Sequence, residues 1–279
     1  MPDVRESGAL RFLYHTVPGR AALKLLSGRT VSRLGALYMD SPLSRPLIPS
    51  FVRKNGIDLS EYETADYRCF NDFFTRQVRP ECRPIAAEPD ALIAPCDGLL
   101  SAYPIREGLV LPVKQSRYSI DSLLGGNPIA ARYAGGVCLV FRLCVNHYHR
   151  YCYVDDGVKG ENVFIPGRLH TVRPIALEAA PVFTENCREY TVMETAHFGM
   201  VTQVEVGAML VGKIRNLHGA GKICRGAEKG RFLYGGSTVI LLLEPERVRL
   251  PETLLRATEQ GVETPVKMGQ ALGRSAMTV

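Results

Sequence analysis

The chain has 279 residues, 46% hydrophobic and 22% charged, which excludes a disordered segment and leaves room for one large domain or two modest ones. Its net charge of +6 lies entirely in residues 1–55, where nine Lys/Arg accompany three acids, so an anionic surface, membrane or nucleic acid, is the expected partner. The eight cysteines are scattered without a CxxC pair, which argues against a zinc site or a disulfide scaffold and fits reduced thiols.

No apolar stretch reaches the roughly 18–20 residues a spanning helix needs. Acids at Asp3 and Glu6, with no apolar run beside them, argue against a cleaved secretory signal. Residues 9–27 read as two short helices broken at Pro18-Gly19, with Leu10, Leu13 and Tyr14 on one face and Ala22, Leu25 and Leu26 on another. Basic residues lie between these positions, as in helices that rest on a membrane; the alternative is packing on the rest of the chain or on a second subunit. Residues 30–40 extend the pattern, and Pro42, Pro46 and Pro49 read as a linker before Phe51.

From about residue 61 the composition changes. Residues 70–76 read as a short helix that packs aromatic side chains inward, and 118–124 and 252–259 as further short helices. Strand-like runs at 91–94, 99–103, 109–113, 137–145, 151–154, 190–194, 201–205, 208–214 and 237–244 are separated by turn residues. The fold class is therefore mainly β within α+β. A compact β-sheet catalytic body (61–279) follows an N-terminal helical, membrane-facing region (1–60).

Gly235-Gly236 delivers Ser237 to the head of the apolar run Val239–Leu243. Glycines permit a tight bend there, and five apolar residues that all seek burial hold the following strand against slippage. Three other segments carry candidate chemistry: Pro95-Cys96-Asp97-Gly98, Asn146-His147-Tyr148-His149-Arg150, and Pro166-Gly167-Arg168-Leu169-His170. His147 and His149 share a strand face, but without a Cys, Asp or Glu cluster no metal is expected. Asp97, His149 and Ser237 together supply a carboxylate, an imidazole and a hydroxyl able to activate a nucleophile. Ser237 lacks the Gly-x-Ser-x-Gly elbow and precedes a strand rather than a helix, which argues against the commonest hydrolase arrangement.

Over residues 65–245 the chain resembles the phosphatidylserine decarboxylase proenzymes, which are pyruvoyl-dependent. The resemblance rests on Phe70-Asn71-Asp72-Phe73-Phe74-Thr75-Arg76 with Arg83-Pro84-Ile85, on Pro95-x-Asp97-Gly98, and on Tyr148-His149-Arg150. It continues through Pro166-Gly167-x-Leu169, Phe183-Thr184-Glu185-Asn186, Val211-Gly212, Gly226-x-Glu228-x-Gly230-Arg231-Phe232 and Gly235-Gly236-Ser237-Thr238. It implies self-cleavage between Gly236 and Ser237 by an N→O acyl shift and elimination. The products are a β chain of residues 1–236 and an α chain of residues 237–279 that stay associated, with a covalent pyruvoyl (pyruvate) cofactor made from Ser237. Ser237→Ala is then expected to remain whole.

The implied reaction converts phosphatidylserine to phosphatidylethanolamine and CO2. Asp97 and a histidine form the base for cleavage, and His149 is also the candidate proton donor for decarboxylation. The implied setting is peripheral, on the cytoplasmic side of the cell membrane, with anionic lipid and no nucleic acid as partner; a homodimer is left open. One departure stands out: a second histidine is usual where this chain has Cys152, and His147, His197 and His218 are unranked stand-ins. The alternatives are a Ser-His-Asp hydrolase of lipids or esters that is not cut, and a degenerate family member that only binds lipid.

Overall fold

The computed structural model describes residues 12, 16, 18–19, 29–106, 110–113, 116–167, 182–207, 213–234 and 237–276. The expected helices of residues 9–27 and strand at 208–214 therefore fall mostly outside the described residues, and the pair Gly235-Gly236 wholly so.

Among the described residues the first long helix is α1 (Arg29–Asp40), followed by the 3-10 turn Pro42–Ser44 and by α2 (Leu47–Asn55). The expected linker is thus largely helical. Pro49 is tolerated because it is the third residue of α2, where the backbone N–H has no intrahelical acceptor to lose. Gly56 stops α2 in the left-handed region, with φ +59°. A short helix, α3 (Phe70–Phe74), then buries Phe70, Phe73 and Phe74. Residues 39–57 pack against it: Phe51 meets the Phe70 ring edge-on at 4.9 Å, Phe70 N–H donates to Ser44 Oγ (2.9 Å), and Asn71 Nδ2 donates to Asp40 Oδ1 (2.8 Å).

The body is mostly β-sheet, with helices at its margins. Strands β1 (Ala91–Ile93) and β2 (Gly98–Pro104) open it, and β3 (Val110–Val113) and β4 (Ser116–Ser119) form a separate hairpin. Next come β5 (Val137–Leu143), β6 (Arg150–Cys152), β7 (Gly157–Lys159) and β8 (Val163–Ile165). Then follow β9 (Arg188–Thr195), β10 (Gly199–Val206), β11 (Ile214–Asn216), β12 (Gly221–Ile223), β13 (Glu228–Phe232) and β14 (Ser237–Leu243). After these, β15 (Val248–Arg249), the helix Glu252–Glu259, β16 (Thr264–Val266) and β17 (Ala271–Ser275) complete the described chain.

A nine-stranded antiparallel sheet runs β12-β7-β9-β10-β14-β5-β2-β16, with β8 also on β9; smaller sheets run β11-β13-β6 and β1-β17-β15. Strand β14 lies at the centre of the large sheet and every one of its residues is buried. Its apolar side chains alternate between two cores. Ile240 and Leu242 pack with Val140, Val204 and Tyr190, whereas Val239, Leu241 and Leu243 pack with Phe141, Tyr151 and Phe232. Each fully buried aliphatic side chain contributes about 2 kcal/mol, so the register of β14 is strongly fixed.

The alternation expected in residues 201–206 is present, but neither face of β10 meets solvent. Thr202, Gln203 and Glu205 are buried along with the apolar residues. Burial pushes the Glu205 carboxyl above its ordinary value, and Lys229 on β13, 2.8 Å from Oε1, opposes that shift. Asn216 on β11 bonds both, accepting from Lys229 Nζ (2.9 Å) and donating to Glu205 Oε2 (3.2 Å). This cluster ties the large sheet to the β11-β13-β6 sheet. Lys229→Met strands an unpaired buried carboxylate, so we expect it to destabilise the uncleaved Ser237→Ala chain by about 3–5 kcal/mol in urea titrations, and adding Glu205→Leu to restore most of the loss.

Candidate active site

Three strands end together at one edge of the large sheet. Leu99 on β2 pairs with Arg142 on β5, and Arg142 pairs with Thr238 on β14, so these residues form one row. Just beyond it lie Asp97-Gly98 at the head of β2, Leu143 at the tail of β5, and Ser237, opposite Leu143, at the head of β14. Ser237 is fully buried, and its Oγ has no hydrogen-bond partner among the described residues. Tyr234, shortly before it, donates its N–H to Asn71 Oδ1 (2.8 Å), which ties the approach to Ser237 to α3.

His149 is reached from the same edge. The chain leaves β5, turns at 144–147 with His147 N–H donating to Cys144 O (2.9 Å), and enters β6. Phe232 N–H donates to His149 O (2.9 Å), so the residue before β6 is held to the end of β13, five positions ahead of Ser237. The imidazole packs on the Phe74 ring with centroids 4.1 Å apart, and Phe74 also meets Tyr234 at 5.2 Å. His149 Nδ1 lies 2.9 Å from His147 O. A carbonyl only accepts, so Nδ1 carries the proton and Nε2 keeps its lone pair. That Nε2 is buried and has no partner among the described residues.

The expected hydrogen bond between Asp97 and His149 is not made. Asp97 instead accepts a two-pronged contact from Arg83, Nε to Oδ1 at 2.8 Å and Nη2 to Oδ2 at 2.6 Å, and Oδ1 also takes Met268 N–H at 2.9 Å. The guanidinium fork matches a carboxylate in shape and charge, so it claims both oxygens. Arg83 extends this network to Glu61 (2.9 Å). Asp97, Arg83, Glu61, Tyr62, Asn146 and His147 line one cavity of about 510 Å³.

The structure also ranks the stand-in histidines. His197 precedes β10 and is hydrogen-bonded to Asp155, at the Leu243 end of β14. The six residues between put it roughly 20 Å from Ser237 at a strand rise of about 3.4 Å. His218 follows β11, bonded to Tyr153 at the far end of β13 from Phe232. His147 alone of the three lies at the Ser237 edge, and its Nδ1 accepts from Cys144 N–H (3.1 Å), which leaves Nε2 as the N–H donor. Cys152 is unsuited to act as a base: burial pushes its thiol up to about 12. His170 lies outside the described residues.

Burial holds His149 well below the ordinary histidine value, and the Arg76 guanidinium pushes the same way. His147 is shifted downward too, chiefly by burial. The unfolded residues take protons near the ordinary value of 6.5 and the folded ones do not. Stability is therefore full above about pH 6.5 and falls as the pH drops from there towards the folded values. The Ser237→Ala chain should lose up to roughly 1.4 kcal/mol per pH unit for each histidine in this window. Denaturation at stepped pH should give a shallower slope for the His149→Gln derivative, and an unchanged slope would remove His149 as a source.

Comparison with known proteins identifies the family. The family profile described as phosphatidylserine decarboxylase matches residues 70–274. The chain is 42% identical over 271 residues to phosphatidylserine decarboxylase proenzyme 2 of Clostridium acetobutylicum, covering 97% of this chain and 93% of that protein. It is 38% identical over 270 residues to the phosphatidylserine decarboxylase proenzyme of Ruminiclostridium cellulolyticum, covering 95% of this chain and 90% of that one. Fold and site thus define an α+β protein built around a buried serine and a tautomer-fixed histidine. The chain belongs to the phosphatidylserine decarboxylase family.

Two supporting residues had only a weak sequence signal. Asn71 and Arg83 stand in the stretches that carry the family resemblance, but nothing in their spacing shows that one holds Tyr234 and the other takes Asp97.

Proposed function

We propose that this chain is a precursor that cuts itself between Gly236 and Ser237 and then decarboxylates phosphatidylserine at a membrane surface. The observation that carries the reading is the pair of buried, unpartnered polar atoms, Ser237 Oγ and His149 Nε2, one able to give a proton and the other to take it. Leaving such atoms unpaired costs about 1–3 kcal/mol each, a cost typical of sites where the groups are used. In this reading Ser237 Oγ attacks the Gly236 carbonyl while its proton passes to Nε2. The Ser237 amine leaves and takes a proton; β-elimination, which removes the Ser237 α-proton and releases the Gly236 carboxylate, separates the chains, and water then hydrolyses the dehydroalanine through its imine, with loss of ammonia.

Ser237 suits conversion to a pyruvoyl group. It heads a strand paired on both sides, so residues 237–243 stay clamped between β5 and β10 after the cut. The group, once formed, supplies an electron sink for loss of CO2. His149, returned to its neutral form, takes up at Nε2 a proton from the substrate ammonium and delivers it to the carbon that loses CO2. Asp97, fixed by Arg83, serves from the cavity wall rather than through the His149 ring.

Exposed apolar residues support the membrane role. Leu34, Leu37 and Tyr38 follow the i, i+3, i+4 spacing of one helix stripe, and Leu43 and Leu47 are also exposed, beside Arg45, Arg53 and Lys54. No described helix is long and apolar enough to cross a membrane. The reading places the protein peripherally, on the cytoplasmic side of the cell membrane, with the N-terminal region against anionic lipid.

Intact-mass analysis of purified protein is expected to give two chains parted after Gly236, and Ser237→Ala one uncut chain with decarboxylation at background. An uncut wild-type chain labelled at Ser237 by an organophosphate would overturn the proposal in favour of hydrolysis. Leu37→Glu with Leu43→Glu should leave the fold intact, since both side chains are exposed, and reduce sedimentation with phosphatidylserine-containing vesicles by about tenfold or more. Unchanged sedimentation would remove this face from the membrane contact.

A further inference from the structure

We propose that Arg76 is a positioning residue for self-cleavage, acting through His149 from behind the 144–149 turn; the inference rests on the reading of His149 as the base. Arg76 follows α3 and is only 2% exposed. Its guanidinium lies over the Tyr62 ring, 4.1 Å from the centroid, and near the Phe73 ring at 4.9 Å. Nη2 donates to Tyr62 Oη (3.1 Å) and reaches Asn146 O (3.5 Å), Nη1 donates to Phe73 O (3.4 Å), and Nε has no partner among the described residues.

Other buried cations of this protein are better compensated. Arg83 has Asp97 and Glu61, and Lys229 has Glu205. Lys159 and Arg188 each donate short hydrogen bonds to several backbone carbonyls. Arg76 has no carboxylate within ion-pair distance among the described residues, two of its three hydrogen bonds are long, and its Nε–H is unused. An uncompensated buried charge is expensive, and an apolar residue would fill the space between two rings more cheaply.

The guanidinium faces the turn that sets the His149 ring. Asn146 O, held by Nη2, is one residue before the His147 carbonyl that fixes the His149 tautomer. The charge also opposes protonation of the imidazole. Of the other groups around His149, the His147 carbonyl pulls the opposite way through its hydrogen bond to Nδ1, but it does not reverse the downward shift. From α3 comes Phe74, from β13 the Phe232 backbone, from its own turn the neutral His147, and on β6 Arg150 is paired with Glu228 at 2.8 Å. Two consequences follow for cleavage. Before attack, Nε2 stays free to accept the Ser237 proton. After it, the nearby cation makes the imidazolium a stronger acid, ready to pass that proton to the departing Ser237 amine.

The test follows His149 itself and then the cut. In the full-length Ser237→Ala chain with labelled histidines, NMR titration should show His149 protonating about one pH unit higher in Arg76→Gln than in the parent, with Arg76→Lys close to the parent. Where Arg76→Gln does not fold, Arg76→Met supplies the same neutral comparison. In freshly synthesised chains that retain Ser237, the acid limb of the cleavage rate should move to higher pH by the same amount in Arg76→Gln and stay in place in Arg76→Lys. A folded neutral variant with unshifted His149 overturns the role of Arg76. A shifted titration with an unmoved cleavage profile overturns His149 as the base, and the positioning role with it.

Discussion

The structure depends on the double-sided burial of β14. Its apolar residues feed two separate cores, so any one-residue slip would exchange the side chains of both and is prevented from both directions. Ser237 inherits that rigidity because it is the first residue of the same strand, opposite Leu143 on β5. In the proposed self-cleavage, a nucleophile that attacks its own preceding carbonyl benefits from such an anchor, since the reacting atoms gain most from being held near one another.

Around that anchor the protein arranges polar atoms without saturating them. The His147 carbonyl performs the task a carboxylate has in a Ser-His-Asp arrangement, fixing which imidazole nitrogen carries the proton. Burial keeps His149 below its ordinary value, and the carbonyl, which opposes that shift, adds no full negative charge beside the ring. Asp97 is thereby released to pair with Arg83 at the cavity wall. The Glu205–Lys229–Asn216 cluster joins the sheet bearing Ser237 to the sheet against which His149 is held, so the two halves of the site keep their spacing through buried charge rather than loop contacts.

Much of this was legible from residues alone. The long apolar strands β5, β10 and β14 and the aromatic helix α3 appear near the expected positions, because their patterns are long and unambiguous. The strand β13, Glu-Lys-Gly-Arg-Phe, has no apolar pattern, since three of its five residues are charged and one is glycine; it is a strand through its pairing with β11 and β6, with Lys229 paired to Glu205. Gly230 suits this strand, since a Cβ there would meet Tyr151 Oη and Arg215 O. The proline-punctuated stretch before Phe51 was misread as a linker, because a proline in the first helical turn looks the same in sequence as one that breaks a chain.

The sequence by itself determined that Ser237 would stand at the head of a strand held against slippage, since five successive apolar residues all seek burial; that Ser237 is itself buried came from the tertiary structure. It also determined the family, through motifs spread over most of the chain. Which histidine nitrogen is open, that Asp97 belongs to Arg83, that His147 rather than His197 or His218 shares the edge with Ser237, and that Arg76 lies uncompensated behind the turn were decided only by tertiary structure. The tautomer is set by a carbonyl two residues away but only through the shape of the turn, and the other hydrogen-bonded pairs lie from 14 positions apart (Arg83 and Asp97) to 70 (Arg76 and Asn146). Strand register and competition for hydrogen-bond partners set them, and neither has a signature in local residue order.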